Sequence, residues 1–529
     1  MDIKVTIDLD RDGTFSHPLA DISDRVIDAL SFTSGWTNVG QVESNVAAHV
    51  SPVNALQLVL DNSDGQLSFE NPTALFYDKL YTGIMVRVTV TYAALSYTFT
   101  YFAQQLIEAP GQYGEQTVLL NCVCAMPRVQ RAHYEPLVTQ NVTTSAALTT
   151  MIESAVLPLP YTSSYFMIDH SQIDGTDVLY DIATHVPLIS NFETGLTTMD
   201  YVGDIIHESR TGIDQQMMQL FVADMCMAEA FGRFFYQPRD GKLHFHNRFH
   251  DKSTATSLTV TGADYVQANS VTTPVYNEVR LHYTPRKVGT PAAVIFSSDS
   301  VPLEMRTGEE KTIRVKYRDP DDFSRPAAAL DVIDPVAGTD IIITDSSSND
   351  VTLNVFDGTD LRGAGGTVYF NNTTDGTVTI DTFQVRGTAV TAYDEQIAID
   401  KDPASMYKYN WTPLPDIRSN YITNDSLALG ITGFAVLRHK DMRRVFESVM
   451  FVITDDNFAD IMPLTIGDVV QIEESWSNHD SEYVILGEYH QYNIATGLYN
   501  LTWYLRSNST TPYFVIDTSV IDGPDLISY

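Results

Sequence analysis

Ala55-Leu56-Gln57-Leu58-Val59-Leu60, followed by Asp61-Asn62-Ser63-Asp64-Gly65, decides how the chain is read. A short apolar run breaks off in five turn formers, the mark of a β-strand leaving a sheet. The same grammar recurs at 85–92, 97–102 and 117–123, and that spacing suits a small barrel or sandwich over residues 1–125. Period-two runs of Val, Ile, Thr, Tyr and Phe, bounded by Gly, Asn, Asp and Pro, continue through most of the 529 residues. The chain therefore reads as mainly β with minor α, an α+β protein.

Composition sets the outer limits. Asp and Glu number 67 against 32 Lys and Arg, a formal net charge of −35. A nucleic-acid binder needs a basic face to release counterions, and this balance excludes one beyond a local patch. Hydrophobic residues make up 44%, enough for packed cores. The length predicts three to five domains at roughly 100–200 residues each. Cys122, Cys124 and Cys226 cannot all pair, and the first two are too close in sequence for an easy bridge, so no disulfide framework is expected. Acidic Asp8 and Asp10 stand where a signal peptide would carry its apolar core, so no export signal of that type is expected. The richest apolar stretch, 220–235, is interrupted by Asp224, Glu229 and Arg233, so no integral membrane segment is expected.

Helical periods are few. Thr144 or Ser145 can cap a helix to about Val156, stopped by Pro158. Asp214 can cap a longer one in which Met217, Leu220, Phe221, Met225 and Ala228 form one stripe, read as core-facing because Met fills irregular interiors. Gly232 ends it, and Phe234-Phe235-Tyr236 turns through Pro238-Arg239-Asp240-Gly241 into 242–248 as a hairpin. These elements mark a helix-containing domain at 126–275. Over 327–393 the composition moves toward Thr, Asp, Gly and Asn with few cations, and runs at 341–344, 351–356, 367–371 and 377–385 predict an inserted β-sandwich. A helix over 425–437 and strands at 446–454, 468–473, 483–492 and 499–506 predict a second barrel, drawn from 276–326 plus 394–510. Residues 511–529 form a tail that either pairs with another subunit or stays unpaired.

Candidate chemistry is thin. Asp8, Asp10, Asp12 and Gly13 open like a calcium loop, but the twelfth position is Leu19 where a bidentate Glu belongs, so a plain acidic turn is expected. His244 and His246 share a strand face near His250, as two ligands of a zinc site would. No Cys-x-x-Cys or His-Glu-x-x-His pattern supports them, and no metal or cofactor is assigned. The carboxylate pairs Asp321/Asp322, Asp455/Asp456 and Glu473/Glu474 could flank a glycosidic bond. Adjacent strand residues point to opposite faces, however, and with no G-x-S-x-G or phosphate-cradling loop there is no residue on which an enzyme would rest. One dense basic run stands out: Arg438-His439-Lys440-Asp441-Met442-Arg443-Arg444. Its cations complement the negative end of the preceding helix, and Arg438, His439, Lys440, Arg443 and Arg444 could equally dock an acidic partner surface.

Several stretches together resemble the minor tail, or tail-hub, proteins of long-tailed bacteriophages, similar to the baseplate hub of contractile tails. Leu58-Val59-Leu60-Asp61-Asn62-Ser63-Asp64-Gly65-Gln66-Leu67-Ser68-Phe69-Glu70-Asn71-Pro72, with Leu80-Tyr81-Thr82-Gly83-Ile84-Met85-Val86-Arg87-Val88, resembles that family's first signature, with Thr82 where proline is usual. The helix leading to Gly232, Phe235-Tyr236, Asp240-Gly241 and Leu243-His244-Phe245 is similar to a second. Tyr276-Asn277-Glu278-Val279-Arg280-Leu281-His282-Tyr283 resembles a third, and Phe383-Gln384-Val385-Arg386-Gly387-Thr388-Ala389-Val390 the closing strand of its sandwich. Ile466-Gly467-Asp468-Val469-Val470-Gln471-Ile472 and Tyr483-Val484-Ile485-Leu486-Gly487-Glu488-Tyr489-His490 resemble its last-barrel strands. The resemblance implies two tube-like barrels per chain and a homotrimer at the virion tail tip, assembled in the host cytoplasm. It implies as partners a distal tail protein or tube end, the tape-measure protein, receptor-binding proteins or fibres, and genomic DNA passing through without specific binding. Relatives often continue into a peptidase or lysozyme domain; the sequence ends at Tyr529, and no hydrolase is expected. The acidity suits a conduit that should not hold DNA, and suits solubility equally. A carbohydrate-binding or carbohydrate-cleaving β protein is the alternative, since 56 aromatics could stack on sugars; a cellular injection-system hub would share all of these residues.

Overall fold

Period-two burial builds the first barrel. Of β1 (Asp2–Ile7), β2 (Leu30–Gly35), β3 (Ala55–Asp61), β4 (Met85–Tyr92), β5 (Leu95–Ala109) and β6 (Thr117–Val123), all but β5 bury largely alternate side chains, and β5 buries the continuous run 99–103. Leu56, Leu58 and Leu60 face Val86, Val88, Val90, Val118, Leu120 and Cys122 within one core. The order is β1-β4-β5-β6-β3-β2. Bridges from Thr6 to Asp21 and from Val26 to Leu60 tie the 20–27 segment across β1 and β3, so the edge of β1 is covered. The turn after β3 is held by its own side chains, as Leu67 N donates to Asn62 Oδ1 at 2.8 Å and Gly65 takes φ +68°.

The computed structural model describes residues 1–10, 14–28, 30–38, 49–68, 71–109, 116–127, 133–134, 142–148, 191–192, 198–199, 216–229, 232–247, 250, 254–298, 302–361, 363, 365–419, 421–423 and 425–508. The chain is mainly β with minor α. Among the described residues no helix is long and apolar enough to cross a membrane. The expected helix at 145–156 is helical at 144–148, and its remainder, Asp214 and the 511–529 tail lie outside the described residues.

Helix α1 (Met218–Ala228) buries Val222, Met225, Cys226, Met227 and Ala228 in the core that the barrels share. Met225 and Met227 are interior. Hairpin β7 (Arg233–Gln237) and β8 (Lys242–His246) follows. Next come β9 (Thr256–Thr261), β10 (Gln267–Thr272) and β11 (Glu278–Tyr283), then the insert, whose long last strand is β12 (Val378–Ala392). The chain continues through β13 (Gln396–Lys401), α2 (Pro403–Tyr409), β14 (Ile417–Ser419), α3 (Asp425–His439), β15 (Arg444–Ile453), α4 (Phe458–Ile461), β16 (Val469–Glu474), β17 (His479–Asn493) and β18 (Leu498–Ser507).

Strand pairing divides the chain differently from the sequence expectation. The second barrel runs β9-β16-β17-β18-β15-β10, with β9 parallel to β16 and the other pairs antiparallel. Residues 256–272, expected with the helix-containing domain, therefore belong to this barrel sheet. Their polar, largely exposed edge strands bury only Val260 and offer no apolar period to follow. β11 pairs instead with β13 and β14 in a small sheet beneath α3.

The insert begins earlier than its composition suggests. β12 pairs with Arg286–Val288, Ala293–Ser297, Leu303–Met305, Ala328–Ile333 and Ile341–Asp345, so its six-stranded sheet reaches back to residue 286. A second sheet of Glu310–Lys316, Gly365–Asn371 and Phe356–Leu361 contributes to the same separate core. The cations of 286–325 hid this unity, because low cation content had set the expected boundary at 327. The expected strand at 351–356 is a tight turn at Thr352–Asn354 instead, pinned where the Asp350 carboxylate accepts from Thr352 N and Oγ1. Tyr393 N donates to Pro285 O at 2.9 Å, so the insert leaves and re-enters the fold at one point. Replacing 286–392 by a short Gly/Ser linker is expected to shift the melting of the remainder by no more than about 4 °C, since closing a short loop between adjacent ends costs little. Replacing 327–393 alone is expected to give aggregation, because Ile295, Met305, Val315 and Tyr317 lose their cover. Calorimetry and light scattering on the two variants check both outcomes.

Candidate functional site

The two barrels are one hydrogen-bonded object. β2 pairs with β17 from Leu30↔Tyr492 to Gly35↔Gly487, which merges both barrels into a twelve-stranded sheet. The contact needs glycine: a Cβ on Gly487 would stand 2.2 Å from Trp36 O, and one on Gly35 2.2 Å from Leu486 O. Backbone atoms held by strand hydrogen bonds cannot give way cheaply. Gly487→Ala is expected to cost ~2–4 kcal/mol in urea unfolding, with the two barrels losing cooperativity.

A third element is driven into this junction. The β7–β8 hairpin docks on the first barrel through Thr100 N to Pro238 O (2.8 Å), Tyr236 Oη to Thr100 O (3.2 Å) and Ser51 N to Phe234 O (2.8 Å). At its tip Arg239 lies over the rings of Tyr97 and Phe99, at 5.6 and 5.3 Å. From there its guanidinium donates to Met462 O, to Leu464 O at 2.9 Å and to Glu488 Oε1 at 2.8 Å. The side chain of Arg239 is 11% exposed and that of Glu488 0%. One guanidinium thus joins the hairpin, β5 of the first barrel and β17 of the second.

The surroundings keep Glu488 charged. Burial alone would raise the Glu488 carboxyl; the Arg239 charge overcomes it and holds the group below the usual range. His490 stacks on Phe32 at 4.4 Å and shares a 2.8 Å hydrogen bond between Nδ1 and Tyr499 Oη. Burial holds its imidazole below the ordinary range, hence neutral. Asp468, raised mainly by burial, accepts from Thr465 N at 2.7 Å, and Gln237 Nε2 donates to Thr465 Oγ1 at 2.7 Å.

The sequence candidates fall elsewhere. His244 Nε2 lies 2.8 Å from Asp240 Oδ2, while His246 stacks on His250 at 3.6 Å and His250 donates Nε2–H to Gly467 O at 3.0 Å. These rings pack the hairpin against the second barrel. Asp8 is buried within electrostatic reach of Arg87 and Asp10 is exposed; Asp12 and Gly13 lie outside the described residues. Of the acidic pairs, Asp321 binds Lys287 at 2.8 Å, Asp322 accepts from Ser324 and Glu474 from Trp476 N.

The basic run is dispersed by the fold. His439 is buried, and Lys440 Nζ binds Asp402 Oδ2 at 3.0 Å, the carboxylate that caps α2 by accepting from Ser405 N. Arg443 and Arg438 are half-buried, and Arg444 is exposed over the Trp476 ring at 5.2 Å. Arg438 and His439 also bear on His49, pushed down to about 3 first by burial and then by Arg506, Arg438, Arg233 and His439.

No protein-family model and no curated protein matches the sequence. Among solved structures, the chain is similar to the 43 kDa tail protein of prophage MuSo2 from Shewanella oneidensis, at 8% identity over 95% of this chain and 97% of that one, with a TM-score of 0.43. It is similar to the tail protein from Neisseria meningitidis MC58 at 8% identity over 96% and 97%, with a TM-score of 0.44. The E. coli c3393 protein, a component of the type VI secretion system, matches at 9% identity over 96% of this chain and 77% of that one, with a TM-score of 0.34. The likeness is too slight to carry any residue's role from those chains to this one.

Proposed function

We propose that this chain is a structural protein of a phage tail, a hub that joins the tail tube to the tip apparatus as a homotrimer around the conduit for DNA. The observation that carries the reading is the pairing of β2 with β17, which fixes two barrels side by side in one rigid sheet. Three such chains place six barrels in a ring, matching a six-fold tube end with a three-fold part. The ordered stretches that resemble tail-hub proteins support the same reading. The Arg239–Glu488 joint serves it by fixing the angle between the barrels.

The net charge of −35 suits a wall that DNA passes without binding, and no catalytic step belongs to this role. The tube end, tape-measure protein and receptor-binding fibres are its partners. Of the run at 438–444, Arg443 and Arg444 are the cations placed to meet an acidic partner surface, since Lys440 is committed to Asp402. Light scattering of the purified chain at micromolar concentration tests the reading. A mass near three times 58.9 kDa is expected; a monodisperse monomer that also fails to trimerise with the tube end would contradict it.

A further inference from the structure

The two barrels repeat one plan. The orders β1-β4-β5-β6-β3-β2 and β9-β16-β17-β18-β15-β10 correspond position by position, departing only where β9 is parallel to β16 and β1 antiparallel to β4. The third strand of each, β5 and β17, is 15 residues long. The match extends to single hydrogen bonds. Gly83 N donates to Ala103 O and Ala103 N to Ile84 O; Gly467 N donates to Ile485 O and Ile485 N to Asp468 O. Both glycines take positive φ, +91° and +101°. One residue further on, each long strand bulges, between Ala103 and Gln105 and between Ile485 and Gly487. Gln105 of β5 therefore stands for Gly487 of β17.

The chain makes this plan's joint once and leaves both halves of a second. β2 lies on β17 from Gly487 to Tyr492, on the flank that β16 vacates beyond Val484. β4 vacates β5 beyond Phe102 in the same way, and among the described residues no strand takes its place. The counterpart of β2 is β10, which pairs with β15 on one side and, among the described residues, with no strand on the other. Gln267-Ala268-Asn269-Ser270-Val271-Thr272 carries no Lys, Pro or other charge to blunt that edge.

We infer that β10 of one copy pairs antiparallel with the end of β5 in the next copy, repeating the β2–β17 joint between chains. The inference rests on the trimer proposed above and names its interface: three joints within chains alternate with three between them, and the ring closes.

The register follows from the joint already made. Ser31 faces Gln57 on β3 and Asn269 faces Ser448 on β15; Gln57 and Ser448 in turn face Asn121 and Tyr504, the partners of Gln105 and Gly487. Asn269 thus stands for Ser31 and Val271 for Thr33. Thr33 pairs with Tyr489, whose counterpart is Ile107, so Val271 meets Ile107. Both are exposed apolar side chains, at 41% and 40%, and as cross-strand neighbours they cover each other. Ser270 meets Glu108 beside Arg444, whose Nε donates to Ser270 Oγ, so the joint sets a carboxylate by an exposed cation of the 438–444 run. The pairing ends at Leu106, because Gln105 carries a Cβ where the made joint needs glycine.

Cysteine crosslinking of the full chain tests this, since Cys122, Cys124 and Cys226 are buried. In the Ile107→Cys/Val271→Cys variant, oxidation is expected to give covalent dimers and trimers. The two single variants, mixed, are expected to give linked pairs, and either one alone none. Ile107→Lys is expected to weaken trimer association by about tenfold or more, since it buries a charge at the joint. A trimer by light scattering whose double variant gives no chain-to-chain link, or links within one chain, would overturn this joint and leave the hub reading standing. A chain that stays monomeric even with the tube end would overturn the trimer and the joint together.

Discussion

Arg239→Met is expected to cost ~3–5 kcal/mol, because it leaves the Glu488 carboxylate buried with no cation against it. Glu488 has 0% side-chain exposure and its Oε1 takes the 2.8 Å ion pair. The neighbouring His490 is held neutral by burial while Arg239 is in place. The loss should come mainly from the stranded charge, so Arg239→Met combined with Glu488→Gln is expected to recover at least half of it. Urea unfolding at pH 7.5 of the two single variants and the double variant measures the coupling. A single-variant loss below about 1 kcal/mol would mean the joint is hydrated and does not hold the barrels.

Acid is expected to destabilise the protein steeply, beginning near pH 6.5. His49 is pushed down to about 3, by burial first and then by Arg506, Arg438, Arg233 and His439, and His490 is lowered by burial. Both folded-state values are depressed, so both imidazoles stay neutral in the folded chain while the unfolded chain takes up protons near its ordinary value of about 6.5. The stability they contribute is therefore complete above that pH and is lost as pH falls toward the folded values. His49 removes about 2 kcal/mol between pH 6.5 and 5, and His490 adds to the loss in the same direction. Glu488, also held low, extends the loss below the ordinary glutamate range near about 4.3. Denaturant midpoints from pH 8 to 4.5 check the slope, and His49→Gln, neutral throughout, should reduce it. A midpoint that does not change between pH 7 and 5 would contradict the burial of both rings.

What was legible in the sequence follows from how each signal arises. Alternating Leu and Val in 55–60 and 85–92 report a buried face directly, so the strands and the β-rich class could be read from them. The helix at Asp425–His439 was equally plain, since its apolar positions keep a single period. The edge strands β9 and β10 were not legible, because a strand that buries one residue in six has no pattern to show. The insert boundary failed for a different reason: composition changes at 327, but hydrogen bonding begins at 286. The joint was half visible. Arg239 stood in a turn quoted for its glycine and proline, and only the fold brings it to Glu488, 249 residues away. Glu488 itself was a signal passed over, a lone carboxylate with the parity of buried Val484 and Leu486. The basic run misled because charge density along a sequence says nothing of direction, and the fold turns its members toward Asp402, His49 and Trp476.

A cryo-EM reconstruction of the tail tip tests most directly whether the paired barrels of three chains form one ring around the conduit. Three copies are predicted, related by a three-fold axis, with six barrels around an axial opening and the β2–β17 pairing inside each copy. Density for a single copy on the axis, or copies whose barrel pairs do not surround it, would contradict the trimeric ring.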